Sequence, residues 1–225
     1  GVAYDDQESI YNDMFVKLDE AISTLNSLPA GSAPYGSFDL IYGGDVDKWI
    51  RFGNTLRLRL AIRISAVDPA KAETEANAAL DGDLLETSPD HDALITRTLK
   101  GDDFNGLTVM DWNEFRMSAT MSSVMHGYQD PRKTVYWLPD GATADNPNGA
   151  GTYHGLRNGL TSTQLTDSKN AATANAKVGK RWSSPGFGGN TDYLSTSQNI
   201  MSTAESYFSR AEGALLGWNM GGTAQ

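Results

Sequence analysis

The stretch TLRLRLAIRIS, Thr55 to Ser65, decides the fold. Read by alternation, Leu56, Leu58, Leu60, Ile62 and Ile64 fall on one phase and Arg57, Arg59 and Arg63 on the other, as in a half-buried strand with a basic face. Length argues against a strand. No Gly-Pro or Asn-Gly break separates Asp45 from Ser65, and a run of about twenty residues far exceeds the usual strand of about 5–6. Read as a helix, the stretch extends back to Trp49, so that Trp49, Phe52, Leu56, Leu60 and Ile64 share the main face, while Ile50, Leu58, Ala61 and Ile62 make a second. A helix that is apolar on opposite faces is sandwiched between neighbours. Arg57 and Arg63 then flank the main face. Arginine is rarely buried alone, so they are expected to pair with carboxylates of a neighbouring helix, with an anion site as the alternative.

The flanking text repeats the helical pattern. Asp5 and Glu8 form a carboxylate version of a capping box, after which Ile10, Met14, Leu18, Ile22, Leu25 and Leu28 recur at three and four until Pro29. Residues 30–44 are loop, and Asp45 caps the helix just described. Asp68-Pro69 pairs an N-cap with a first-turn proline, opening PAKAETEANAAL, which stops at Asp81-Gly82. So short a link makes these two helices antiparallel neighbours. Residues 82–110 are irregular; Asp111 and Glu114 cap a helix from Trp112 to His126, closed by Gly127. Ser202 and Glu205 open a fifth, with Ala204, Tyr207, Phe208, Ala211, Leu215 and Trp218. Trp49, Trp112 and Trp218 occupy helical core positions. The fold class is therefore all-α, with stacked helix pairs of the tetratricopeptide kind and long irregular loops. Residues 1–225 form a single domain: a helical scaffold over 1–128, a loop-rich candidate ligand region over 129–201, and a further scaffold helix over 202–225.

Composition narrows the function. The net charge of −10 disfavours nucleic acid, since phosphate binding needs Lys and Arg to release counterions. The lack of cysteine removes disulfides, thiolate metal sites and a Cys nucleophile. No apolar run approaches the roughly 18 residues of a membrane span. His91, His126 and His154 have no metal-ligand spacing, and no HExxH occurs. A glycosidase needs two carboxylates at a set separation, but Asp102, Asp103, Asp140 and Asp145 sit in turn-forming text. GAGTYHG follows no strand and opens no helix, so it is no dinucleotide loop. The reading is a binder without catalytic residues, cofactor or metal.

The region after Tyr128 is rich in Gly, Asn, Thr and Ser, with one strand-like piece, TVYWL. So long an irregular stretch is improbable as filler, and loops on a rigid scaffold are where binding usually sits. Sugars take flat aromatic rings against their apolar faces and polar side chains on their hydroxyls. The candidates are Tyr136, Trp137, Tyr153, Arg157, Asn158, Trp182, Asn190, Asp192 and Tyr193. For Trp137 the competing reading is packing onto helices; for Trp182 it is stacking with arginine. The QDPR turn sets loop geometry: Asp130 caps it, Pro131 fixes φ and Arg132 pairs locally.

Four blocks, YGGDVDKWIRFGNTLRLRLAIRIS, HGYQDPRKTVYWLP, GTYHGLRNG and AESYFSRAEGALLGWNMGGTAQ, together resemble the SusD/RagB-like nutrient-binding lipoproteins of Gram-negative outer membranes. They stand in the family's order, the similarity runs from about Tyr4 to Gln225, and GWNMGGTAQ is the most specific of them. The resemblance implies a tetratricopeptide-like scaffold with irregular loops. It also implies a cell-surface protein that binds an oligosaccharide or other nutrient and passes it to a SusC-like TonB-dependent transporter without catalysis. Members begin with a signal peptide and a lipid-bearing cysteine and continue past NMGGTAQ with further helices, so the chain reads as a central segment of a member, exported and attached to the membrane only through a lipid anchor outside this sequence. The alternative is a helical-repeat scaffold whose only ligands are proteins; the loop-borne aromatics favour the first.

Overall fold

The computed structural model describes residues 4–95, 115–179, 182 and 196–222. The chain divides into two compact units, residues 1–95 with 198–225 and residues 96–197.

The first unit is helical. Helix α1 spans Gln7–Asn26. Its cap lies one residue later than the sequence suggested: Asp6 Oδ1, not Asp5, accepts from Ser9 N at 2.8 Å. Helix α2 spans Val46–Ile64, capped by Asp45, so TLRLRLAIRIS is helix and its alternation is incidental. Helix α3 spans Pro69–Leu80, capped by Asp68. α2 packs against α1, α3 and α7 (Thr203–Leu215). Gly53 permits a close approach of α1, since a Cβ there would stand 2.9 Å from Ile22 Cγ1. Ala72, Ala76 and Ala79 give α3 a flat stripe that is fully buried.

The two faces of α2 do not sort cleanly into two clusters: Leu60 and Ile64 of the expected main face join Leu58, Ala61 and Ile62 of the second, and the second face lies deeper, with Leu58 and Ala61 fully buried. Leu58, Ala61 and Ile64 are buried with Phe15, the three alanines, Leu84, Trp218 and Met220. Phe52 and Leu56 are only half-buried, against Leu85, Ala93 and Met201. The alanine stripe explains the order, because small side chains let α3 seat closest over Leu58 and Ala61.

Arg57 and Arg59 make structural ion pairs, whereas Arg63, also expected to pair, has no ion pair among the described residues. Arg57 bridges Glu75 of α3 at 2.8 Å and Asp19 of α1 at 3.3 Å. Arg59 forks onto both oxygens of Glu205 on α7, at 2.5 and 2.6 Å. Arg63 lies exposed. On α7 the small residues Ser206, Ser209 and Gly213 are buried, while Phe208 and Leu215 are 75% and 77% exposed. Trp218 is buried, as expected of a core position, but from beyond the helix rather than within it. The helix ends at Leu215 and the chain folds back, burying Trp218 beside Gly213. Arg210 fastens this return by donating to Met220 O and to Glu86.

The first unit hands the chain over through a small ladder. Strand β1 (Ala93–Ile95) pairs antiparallel with β4 (Gln198–Met201), and Ile95 faces Gln198.

The second unit is built from short pieces: α4 (Ala119–Gly127), α5 (Lys133–Tyr136), β2 (Trp137–Leu138), α6 (Ser162–Leu165) and β3 (Lys177–Val178). α4 starts at Ala119, capped by Ser118, rather than at Trp112. Phe115, Arg116 and Met117 are not helical, and Trp112 lies outside the described residues. Extended pairing claims this segment instead: Met117 N donates to Ala176 O and Leu156 N to Met117 O. TVYWL is only partly strand, since its first half forms α5 and Trp137–Leu138 pair with Val178 and Lys177. Among the described residues, no helix is long and apolar enough to cross a membrane.

Candidate functional site

The site grows from the QDPR turn. Asp130 accepts from Arg132 N at 2.9 Å and from Arg132 Nη2 at 2.6 Å. The hydrogen bonds and charge of Arg132 hold the Asp130 carboxyl at about 2, so the turn stays tied across the physiological range. The turn launches α5, which carries Lys133 and Tyr136. β2 follows, and Gly179 N closes the strand pair on Tyr136 O at 2.8 Å. Only glycine fits at 179, because a Cβ would collide with Val135 O and Trp137 N.

Tyr136, Trp137 and Tyr153 pack around the buried Met117, Met125 and Ala176. Tyr136 also meets the ring of Trp182, centroids 5.9 Å apart and tilted 46°. Arg132 lies 5.9 Å from the centre of the Tyr136 ring and Lys133 lies 5.2 Å from that of Tyr153. Burial, with the nearby Asp140 charge, pushes the Tyr153 phenol up, so it remains a neutral donor and acceptor. Trp137 is half-buried, and its Nε1 is buried with no hydrogen-bond partner among the described residues.

Thus Tyr136, Trp137, Tyr153 and Trp182 form one aromatic group on the second unit. Arg157 and Asn158 lie exposed on the turn after Leu156, and no hydrogen bond or ring contact joins them to that group. Asn190, Asp192 and Tyr193 lie outside the described residues. Lys133 and His154 join the neighbourhood without having been expected there. Lys133 could have been found from its place one turn before Tyr136. His154 is placed by Asp140, fourteen positions away, and no local pattern announces that. Among the described residues no cluster of His, Asp and Glu could hold a metal. The arrangement gathers half-buried aromatic rings with a few polar groups, the residue types that saccharide recognition uses.

Clefts also occur on the first unit. One is lined by Arg59, Arg63, Glu205, Phe208 and Glu212. The Arg59–Glu205 pair neutralises much of its charge, and Phe208 is its one aromatic ring.

The family described as Susd and RagB outer membrane lipoprotein matches residues 1–225. No curated protein matches the chain. Among solved structures, a chitin-binding SusD homologue from Flavobacterium johnsoniae is 38% identical, with a TM-score of 0.78, and the match covers 99% of this chain and 42% of that one. A SusD-like protein from Bacteroides thetaiotaomicron is 34% identical, with a TM-score of 0.74 and coverage of 98% and 42%. A SusD homologue from Bacteroides uniformis is 32% identical, with a TM-score of 0.77 and coverage of 99% and 43%. The chain therefore spans less than half the length of the structures it resembles. With the helical scaffold, the loop-borne rings and these matches together, the chain belongs to the SusD-like family of outer membrane lipoproteins.

Proposed function

We propose that this chain is the ligand-binding part of a cell-surface, lipid-anchored protein that takes up an oligosaccharide and passes it to a TonB-dependent transporter, without catalysis. The observation that carries the reading is the aromatic group on the second unit, where Tyr136 and Trp182 meet at 5.9 Å and Tyr153 packs on the same methionine floor. Family membership and the chitin-binding relative from Flavobacterium johnsoniae support a glycan ligand and make chito-oligosaccharides the first to try. Calorimetry against a panel of oligosaccharides led by chitohexaose tests it. At least one should bind, and Tyr136→Ala and Tyr153→Ala should each weaken it by roughly tenfold or more, as anchor rings do. An unchanged affinity in both variants, or no binding across the panel, defeats the reading. Release of reducing sugar by the wild type would defeat the non-catalytic part. Co-purification with a TonB-dependent barrel from outer membranes tests the transfer step.

The exposed Phe208 and Leu215 of α7 favour a protein contact on the first unit as a second reading. Phe208→Glu should then disturb association with a protein and leave the glycan affinity alone.

A further inference from the structure

We propose that His154 contacts the bound saccharide through Nε2 and that Asp140 is the positioning residue that holds its imidazole; this rests on the second unit being the glycan site. Asp140 is 3% exposed, and its carboxylate accepts from Thr152 Oγ1 at 2.7 Å, His154 N at 2.8 Å and His154 Nδ1 at 2.6 Å. The His154 side chain is 69% exposed. Thr152 and the backbone amide already fasten the loop, so a staple alone does not need the ring. The imidazole is a solvent-facing group served by a buried anion, and burying an anion costs several kcal/mol unless it is fully partnered.

The surrounding backbone leaves the ring little freedom. Asp140 N donates to Thr152 O, Ala150 N to Asp140 O and Ala176 N to His154 O, at 2.8, 2.8 and 2.9 Å. Gly155 lies against Ser118, where a Cβ would strike the Ser118 carbonyl. The backbone of His154 is thereby fixed, one position along the chain from Tyr153. A carboxylate can only accept, so the imidazole carries a proton on Nδ1, and in its neutral form it turns Nε2 outward as an acceptor. A sugar hydroxyl seated by the ring of Tyr153 can donate to it. Asp130, the carboxylate at the QDPR turn, is occupied by Arg132 and does not compete for that role.

Calorimetry with chitohexaose, or with the strongest binder of the panel if that is another sugar, gives the test. His154→Ala should weaken binding about tenfold, the loss of one good hydrogen bond. Asp140→Asn should weaken it similarly, and in the His154→Ala background it should cost no further affinity. Nitrogen-15 spectra of the imidazole should show the Nδ1-protonated tautomer in the free wild type and a shift of the Nε2 resonance when the sugar is added. This second readout stands even if Asp140→Asn does not fold. An affinity within twofold of wild type for His154→Ala, with Tyr153→Ala still losing binding, overturns the inference and leaves the glycan reading intact. An Nε2-protonated or averaging ring overturns the role of Asp140. Wild-type affinity in the Tyr136→Ala and Tyr153→Ala variants, or no sugar bound at all, removes the reading and this contact with it.

Discussion

Two tryptophans and one aspartate show how single side chains divide between folding and binding. Trp49 is half-buried, edge-on to Tyr42 and Phe52 at 5.2 and 5.4 Å, and its Nε1 donates to Asp39 at 2.7 Å. Trp137 packs on the methionine floor, and its buried Nε1 has no hydrogen-bond partner among the described residues. Truncation to Ala should destabilise either site by about 3 kcal/mol through the cavity left behind. Replacement by Phe separates them. Trp49→Phe loses a hydrogen bond to a carboxylate and should melt lower, whereas Trp137→Phe discards an unsatisfied donor and should melt near wild type. Equal melting temperatures for the two Phe variants would contradict this. Asp39 also accepts from the amides of Ile41, Tyr42 and Gly44. Burial opposes its ionisation, but these bonds prevail and hold the carboxyl below its ordinary value. Its folded pKa is thus lower than its unfolded one, so its contribution is complete above about pH 4 and fades as pH falls through the folded value. Urea melts should show Asp39→Asn less stable than wild type at neutral pH, with the gap narrowing in acid; a gap that widens would be the wrong sign.

At the scale of elements, α7 is inverted relative to an ordinary amphipathic helix: its small residues face inward and its large apolar ones outward. A Cβ on Gly213 would stand 2.7 Å from Met220 Sδ, so Gly213→Val should disrupt the return of Trp218 and lower the melting temperature by several degrees. Leu215→Glu, on the exposed side, should change stability by no more than about 0.5 kcal/mol. Thermal melts check both, and the reverse ranking would mean that α7 is turned about its axis. The caps at Asp45, Asp68 and Ser202 were legible in the sequence because each is a local bond between a side chain and an amide three residues on. The start of α4 was not, because Met117 answers to Ala176 and Leu156, partners far along the chain. The ranking of the faces of α2 was missed for a related reason: Leu and Phe count as more apolar than Ala, yet close approach is decided by smallness. In the site, ring types could be read directly, whereas the pairing of Asp140 with His154 depends on a backbone path that no periodicity records.

At the scale of the whole molecule, charge is unevenly shared. Residues 96–197 hold ten Lys and Arg against nine Asp and Glu, a net of +1, so the helical unit carries −11, more than the whole net charge of −10. A neutral saccharide held by rings and hydrogen bonds gains nothing from that field. Raising ionic strength from about 0.01 to about 0.15 M shortens the screening length from about 30 to about 8 Å. The affinity for chitohexaose should change less than about twofold over that range. A steep loss would instead mark an anionic sugar held by Lys133.

The pairing of Ile95 with Gln198 brings a different consequence. The chain departs for its loop-rich unit and returns at neighbouring positions of one short ladder, so that unit is spliced in as through a buttonhole. The entropy of closing such an excursion grows only with the logarithm of its length, about 0.6 kcal/mol for each doubling. Insertions, deletions and wholesale rewriting between the two lips are therefore cheap for the helices. With the ligand held in that unit, as proposed, a lineage can retailor its preference there while the frame stays as it was cut.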